Sequence, residues 1–267
     1  MDKKLNFTNM GTFGDTIYYL CLVKMLGGGN LYIKLNALDT FCKEVMGWPN
    51  AGPASGRYTQ QDYDMLEPLL KAQDYLGDVA VWNGETDDYP NLIEHWKMHI
   101  GERWQGNQTE CYAMALGMDI HDPAIKTKLL YEPWLTPVEP IKIPNRSIAV
   151  HRADRYHYNG PPSDQWNDFI DNNLSENGFF LGTANEHAAF EERFKIKIYH
   201  QKVNDLLEMA KYIQGCELFI GNQSVHNSIA IGLGKTYWVE IRKDFEHTKT
   251  QHGYGDNWFP RINGFYF

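Results

Sequence analysis

Cysteine is scarce in this sequence: Cys21, Cys42, Cys111 and Cys216 stand far apart, with no CxxC pair among them. That excludes a dense disulfide framework and a cysteine-built zinc site, and it points to buried free thiols in a reducing compartment. Long apolar runs are lacking too. No stretch approaches the roughly 18 residues of a membrane span, and the opening MDKKLNFTNM has no apolar signal core, so a cytoplasmic protein is expected. Sequons such as Asn6-Phe7-Thr8 and Asn222-Gln223-Ser224 are then chance matches. Positive charge is also in short supply, with 25 Lys and Arg against 34 Asp and Glu, a net −9. That is the wrong overall sign for gripping duplex DNA by phosphate neutralisation.

Several motifs of nucleotide and metal chemistry are missing as well. GLGKT (232–236) has Ile229 where a triphosphate-binding loop needs glycine, and its lysine ends a helix instead of starting one. GTFGDT (11–16) lacks the third glycine of a dinucleotide fingerprint. There is no HExxH, and His95 and His99, though one helical turn apart, have no acidic or cysteine partners at ligand spacing. A surface pair is the simpler reading, and no metal is expected.

What is present is ordinary globular composition, 43% apolar and 22% charged, in 267 residues. That length allows one large domain or two of roughly 120 to 150 residues. LNFT (5–8) reads as a strand, GTFGD as a turn, Thr16 to Leu26 as a helix ended by GGGN, and LYIKL (31–35) as a strand. DVAVW (78–82) is a further buried strand. Four prolines in PWLTPVEPIKIPNR (133–146) mark a linker. The pattern then restarts with strands SIAVH, GFFLG, KIKIYH, CELFIG and TYWVEI, separated by helices that Ser163, Thr183 with Glu186, Asn204-Asp205 and Ser224 cap. The expected fold is α/β, with two Rossmann-like domains: 1–132, a 133–146 linker, and 147–254. An aromatic tail, 255–267, needs cover from the first domain or from a second copy in a homo-oligomer.

Two stretches carry candidate chemistry. FIGNQSVHNSIAIGLGK (219–235) is strand, short turn and helix, so the N–H groups of Gln223, Ser224 and Val225 face an anion seat at the sheet's carboxyl edge. Asn222 and Ser224 serve equally as helix caps, and His226 is a ligand contact or an ordinary loop histidine. VHRADRYHY (150–158) sets Arg152, Arg155 and Tyr156 at the same edge, for diphosphate oxygens or for solvent. In the first half, Trp82, Tyr89, Trp96 and Trp104 either stack on sugars or bases or fill the core.

The turn GTFGDTIYYL, the segment HRADRY, FFLGTANEHAAF and CELFIGNQSVHNSIAIGLGK stand in the order and spacing of heptosyltransferase-like glycosyltransferases, which this chain resembles over most of its length. The resemblance implies a GT-B fold, two Rossmann-like domains facing a cleft, with the first domain trimmed. It implies an inverting, metal-independent transfer from a nucleotide-sugar donor held by the second domain to an acceptor held by the first, with no other cofactor. Asp15 matches the general base, Asn222, Gln223 and Ser224 match the donor-binding turn, and Gly11 and Gly14 let the backbone come close to the donor phosphate or the acceptor, with Thr12, Val225 and His226 as further candidate donor contacts. Arg152 and Arg155, beside Tyr156, are set for the diphosphate. Asp15 is also a natural helix cap, and the two roles are compatible. The family has aspartate at the position of Gln223 and histidine at that of Ser228, so ADP-heptose as the donor does not carry over.

Two other functions fit the same pattern: a GT-B-shaped nucleotide or glycan binder without catalysis, and a nucleotide-sugar epimerase that needs no acceptor. The acceptor is open between glycans, small molecules, proteins and, by analogy with bacteriophage relatives, modified DNA bases.

Overall fold

The computed structural model describes residues 5–36, 58–84, 107–153, 163–172, 174–240 and 264–266, in two compact units, Met1–Thr136 and Pro137–Phe267. In the first unit, β1 (Leu5–Asn9), β2 (Gly29–Ile33) and β3 (Leu76–Val81) form a parallel sheet in that order. Phe7, Leu31 and Ile33 are fully buried, as parallel strands covered by helices require. The helix α1 (Phe13–Met25) joins β1 to β2 and starts earlier than its apolar spacing suggests, because Thr12 and Asp15 form a capping box at its head. Its Tyr19 ring meets Phe7 edge-on at 6.3 Å. At its end Gly28 has φ +81°, and a Cβ there would lie 2.1 Å from the Tyr75 carbonyl oxygen, so glycine is required.

Three more helices, α2 (Gln60–Lys71), α3 (Gln108–Ala115) and α4 (Pro123–Tyr131), complete the described part of this unit. The proline-rich stretch is not a free tether. Trp134 is buried and donates its indole N–H to the Ile17 carbonyl at 2.7 Å, and the Thr136 N–H donates to Gln73 at 2.8 Å. Past the division, the Ile141 N–H donates to Lys211 at 3.0 Å in the second unit. Each half of the stretch is thus fastened to its own unit.

The second unit holds β4 (Ile148–His151), β5 (Gly178–Leu181), β6 (Tyr199–Gln201), β7 (Leu218–Asn222), β8 (Tyr237–Glu240) and β9 (Gly264–Tyr266). They run parallel in the order β6-β5-β4-β7-β8-β9. Counted within the unit, this is the 3-2-1-4-5-6 order of a dinucleotide-type Rossmann sheet. Its helices are α5 (Asp164–Asp171), α6 (Leu174–Asn177), α7 (Ala184–Phe194), α8 (Leu206–Gly215) and α9 (Val225–Gly232). Val150, Trp166, Phe180, Phe190, Phe194 and Ile220 form the core between sheet and helices, with the Trp166 and Phe194 rings 4.9 Å apart.

One expectation is corrected here. KIKIYH yields a strand only at Tyr199–Gln201, because Lys195 adopts the left-handed conformation, φ 55°, to end α7 and turn the chain. Within the tail, Gly264–Tyr266 pairs in parallel with β8 as the sheet's last strand, and 255–263 lies outside the described residues. Cys21, Cys111 and Cys216 are free and buried, while Cys42 lies outside the described residues. Burial pushes the Cys21 thiol up to about 12 and the Cys216 thiol to about 11. Among the described residues no helix is long and apolar enough to cross a membrane.

Candidate functional site

A Rossmann sheet receives its ligand beyond the carboxyl ends of the strands, where the strand order reverses. In the second unit that point lies between β4 and β7. His151 ends β4 opposite Gly221 of β7, and a Cβ on Gly221 would stand 2.7 Å from the His151 carbonyl oxygen, so the close approach depends on glycine. Asn222 is fully buried and braces the two strand ends. Its Nδ2 donates to the Ala153 carbonyl and its Oδ1 accepts from the Ala153 N–H, both at 2.9 Å. Its amide is therefore spent on the backbone that leads into the 154–162 segment.

Arg152 is turned inward. Its Nε and Nη2 donate to the Glu240 carboxylate at 2.7 and 3.2 Å in a buried fork that joins β4 to β8. The guanidinium expected on a diphosphate is here engaged by a carboxylate. Gln223, Ser224 and Val225 remain partly exposed at the head of α9, where the Ser224 hydroxyl accepts from the Asn227 N–H. The Val225 and His226 N–H groups lie ahead of that cap, in the first turn, where a helix has no acceptors of its own.

His226 is buried with its ring stacked on His151, centroids 3.5 Å apart and planes at 16°. His151 anchors the stack by donating from Nδ1 to the Leu181 carbonyl at 2.6 Å. Neither ring nitrogen of His226 has a hydrogen-bond partner. Burial, and secondarily the neighbouring His151, hold it neutral well below the usual histidine range. Among the described residues this edge thus offers N–H dipoles and a neutral imidazole.

The first unit has a comparable edge. Gly11, with φ 146°, lets the chain leave β1 and enter α1, and Gly14 sits in the first turn of that helix. The Asp15 Oδ2 accepts from the Thr12 N–H at 3.2 Å and from its hydroxyl at 2.8 Å. Two distant tyrosines fix the turn from outside: Tyr58 donates to the Thr12 carbonyl at 2.8 Å, and Tyr112 to the Asp15 carbonyl at 3.2 Å. At the ends of β2 and β3, the Lys34 ammonium lies 4.1 Å from the centre of the Trp82 ring, an aromatic face expected for a sugar or the core.

Gly11, Thr12, Gly14 and Asp15 therefore share one turn, and Arg152, Asn222, Gln223, Ser224, Val225 and His226 share one sheet edge in the other unit. Arg155, Tyr156, Tyr89, Trp96, Trp104, His95 and His99 lie outside the described residues. Sequence reasoning missed Glu240, His151, Tyr58, Tyr112 and Lys34, whose partners are remote along the chain. No group of three or more His, Cys, Asp or Glu among the described residues could hold a metal ion.

No family model and no curated protein matches the sequence. Solved structures do match it as folds. The glycosyl transferase family 9 protein of Veillonella parvula DSM 2008 aligns with 100% of this chain and 86% of its own, at TM-score 0.52 and 10% identity. The E. coli heptosyltransferase WaaC with ADP aligns with 98% of this chain and 93% of its own, at TM-score 0.51 and 9% identity. The iron-containing dodecameric glycosyltransferase TibC of enterotoxigenic E. coli H10407 aligns with 90% of this chain and 58% of its own, at TM-score 0.51 and 11% identity. The chain shares the α/β fold of these glycosyltransferases, with two Rossmann-like units built on parallel sheets.

Proposed function

We propose that this protein is a nucleotide-sugar-dependent glycosyltransferase. The observation that carries the reading is the 3-2-1-4-5-6 sheet of the second unit, with the partly exposed head of α9 at its switch point. A nucleotide-sugar diphosphate would lie against the α9 first turn, where the Val225 and His226 N–H groups stabilise the charge that develops on the leaving group. Asn222 and Arg152 act indirectly, holding the backbone and the strand end in place. Asp15 takes the proton from an acceptor hydroxyl, which requires that one carboxylate oxygen be turned to the substrate while the cap is kept. Inversion at the sugar carbon and independence of a divalent cation belong to this proposal.

The test is a thermal-shift series with UDP-, GDP-, ADP-, CMP- and dTDP-sugars and the free nucleotides. One nucleotide class should raise Tm by several degrees, since a ligand at a hundred times its Kd adds about 2.7 kcal/mol. Silence from all five would remove the reading. With the donor in hand, Asp15→Asn should cut transfer by about a hundredfold or more while leaving donor affinity intact. Wild-type turnover in that variant would reduce Asp15 to a cap. A second reading, a nucleotide or glycan binder without turnover, is favoured by the engagement of Asp15 in its capping box. Saturable donor binding without transfer to any acceptor would select it.

A further inference from the structure

Among the described residues, three buried side chains carry two polar atoms with neither hydrogen-bonded: Asn9, His226 and Asn227. Such groups work against folding, and native structures keep few of them. All three lie at carboxyl edges of the parallel sheets, where these folds meet their ligands. His226 and Asn227 belong to the α9 head already described. Asn9 is in the other unit and has had no role.

Its place follows from two periodicities. Side chains alternate along a strand, so Asn9 shares a face of β1 with Phe7, whose ring packs on Tyr19 of α1. Two residues further along β1 is about 6.6 Å, and one turn back along the antiparallel α1 is about 6 Å and leads from Tyr19 to Asp15. These two steps bring Asn9, at the end of β1, to about the level of the first turn of α1, the turn that holds the Thr12–Asp15 box. Asn9 is fully buried there, and both Oδ1 and Nδ2 lack partners.

A carboxamide presents one acceptor and one donor side by side. An anion would satisfy only the NH2 and a cation only the carbonyl, whereas two adjacent hydroxyls satisfy both. We propose that Asn9 is a ligand-contacting residue of the acceptor side, whose carboxamide engages neighbouring hydroxyls of a neutral, polyhydroxylated ligand seated on the β1–α1 turn next to Asp15. This rests on the glycosyltransferase reading and narrows it, because it makes the group presented to Asp15 part of a carbohydrate-like acceptor.

The test uses the full chain and titrates methyl glycosides of glucose, galactose and mannose, with inorganic phosphate as the anionic control. Wild type should bind at least one glycoside, and phosphate should not compete with it. Asn9→Leu, nearly the same size and apolar, should raise the ligand-free Tm and weaken that glycoside by about tenfold or more, the scale of lost hydrogen bonds. Thr8→Val removes another buried unpartnered hydroxyl, on the opposite face of β1, and should raise Tm with the glycoside Kd unchanged. If Asn9→Leu does not fold, Asn9→Asp, which loses the NH2 donor, should show the same weakening. Wild-type affinity in the Asn9 variants, or no glycoside bound by wild type, overturns the proposal. Either result beside an intact nucleotide-sugar shift sinks this inference alone, while loss of the nucleotide shift sinks the glycosyltransferase reading itself.

Discussion

Asn222 fastens two strand ends with a single amide, and its removal should cost more than its size suggests. Asn222→Ala removes both hydrogen bonds to the Ala153 backbone and should lower unfolding free energy by about 1–3 kcal/mol in a urea titration. Arg152 and Glu240 behave differently. Breaking the pair with Glu240→Leu should cost about 3–5 kcal/mol, because a buried guanidinium loses its carboxylate, while Arg152→Met together with Glu240→Leu should recover most of that loss. A double variant as unstable as the single one would mean that the pair does more than satisfy its own charges. His226 gives a pH signature. Its folded-state value lies well below the ordinary 6.5, so the unfolded chain takes up the proton first as pH falls. Stability from this group is complete above about pH 6.5 and declines as pH drops toward the folded-state value. Tm measured from pH 8 to 5 should fall less in His226→Phe, which keeps a stacked ring but does not titrate. Parallel curves would count against this account.

At the scale of elements, local chemistry was readable and remote pairing was not. The strands of the second unit and the caps Ser163, Thr183, Asp205 and Ser224 stand where polar residues precede apolar periods. The helix α2 escaped notice although Tyr63, Leu66, Leu69 and Leu70 are its buried residues, because Pro68 reads as a breaker within it. The candidate site was legible only as two stretches. What holds each stretch comes from far along the chain: Asn222 and Ala153 are 69 residues apart, Arg152 and Glu240 88, Tyr58 and Thr12 46. No spacing rule in a window of a dozen residues registers such partners, since the strand order decides them. The capping boxes themselves are testable here. Thr183→Ala removes the oxygen that accepts from the Glu186 N–H and should lower Tm, at a cost of about 1 kcal/mol. An unchanged melting curve would show that the core aromatics of α7, Phe190 and Phe194, hold it without the cap.

For the whole molecule, two units with separate sheets and separate cores should answer a nucleotide unequally. Hydrogen exchange in the presence of the stabilising nucleotide should slow most at 150–153 and 221–226, and least in β1 to β3. Protection spread evenly over both sheets would move the nucleotide away from the switch point of the second.

The buried cysteines have a practical consequence for such experiments. A thiol that burial pushes up to about 12 or 11 stays protonated at neutral pH, and, shut away from solvent, does not react with an alkylating reagent until its surroundings open. Cys21 and Cys111 lie in the first unit and Cys216 in the second, so the chain comes with a native reporter on each side. Pulsed alkylation followed by peptide mass mapping can time the opening of each unit separately, with no label engineered into the protein.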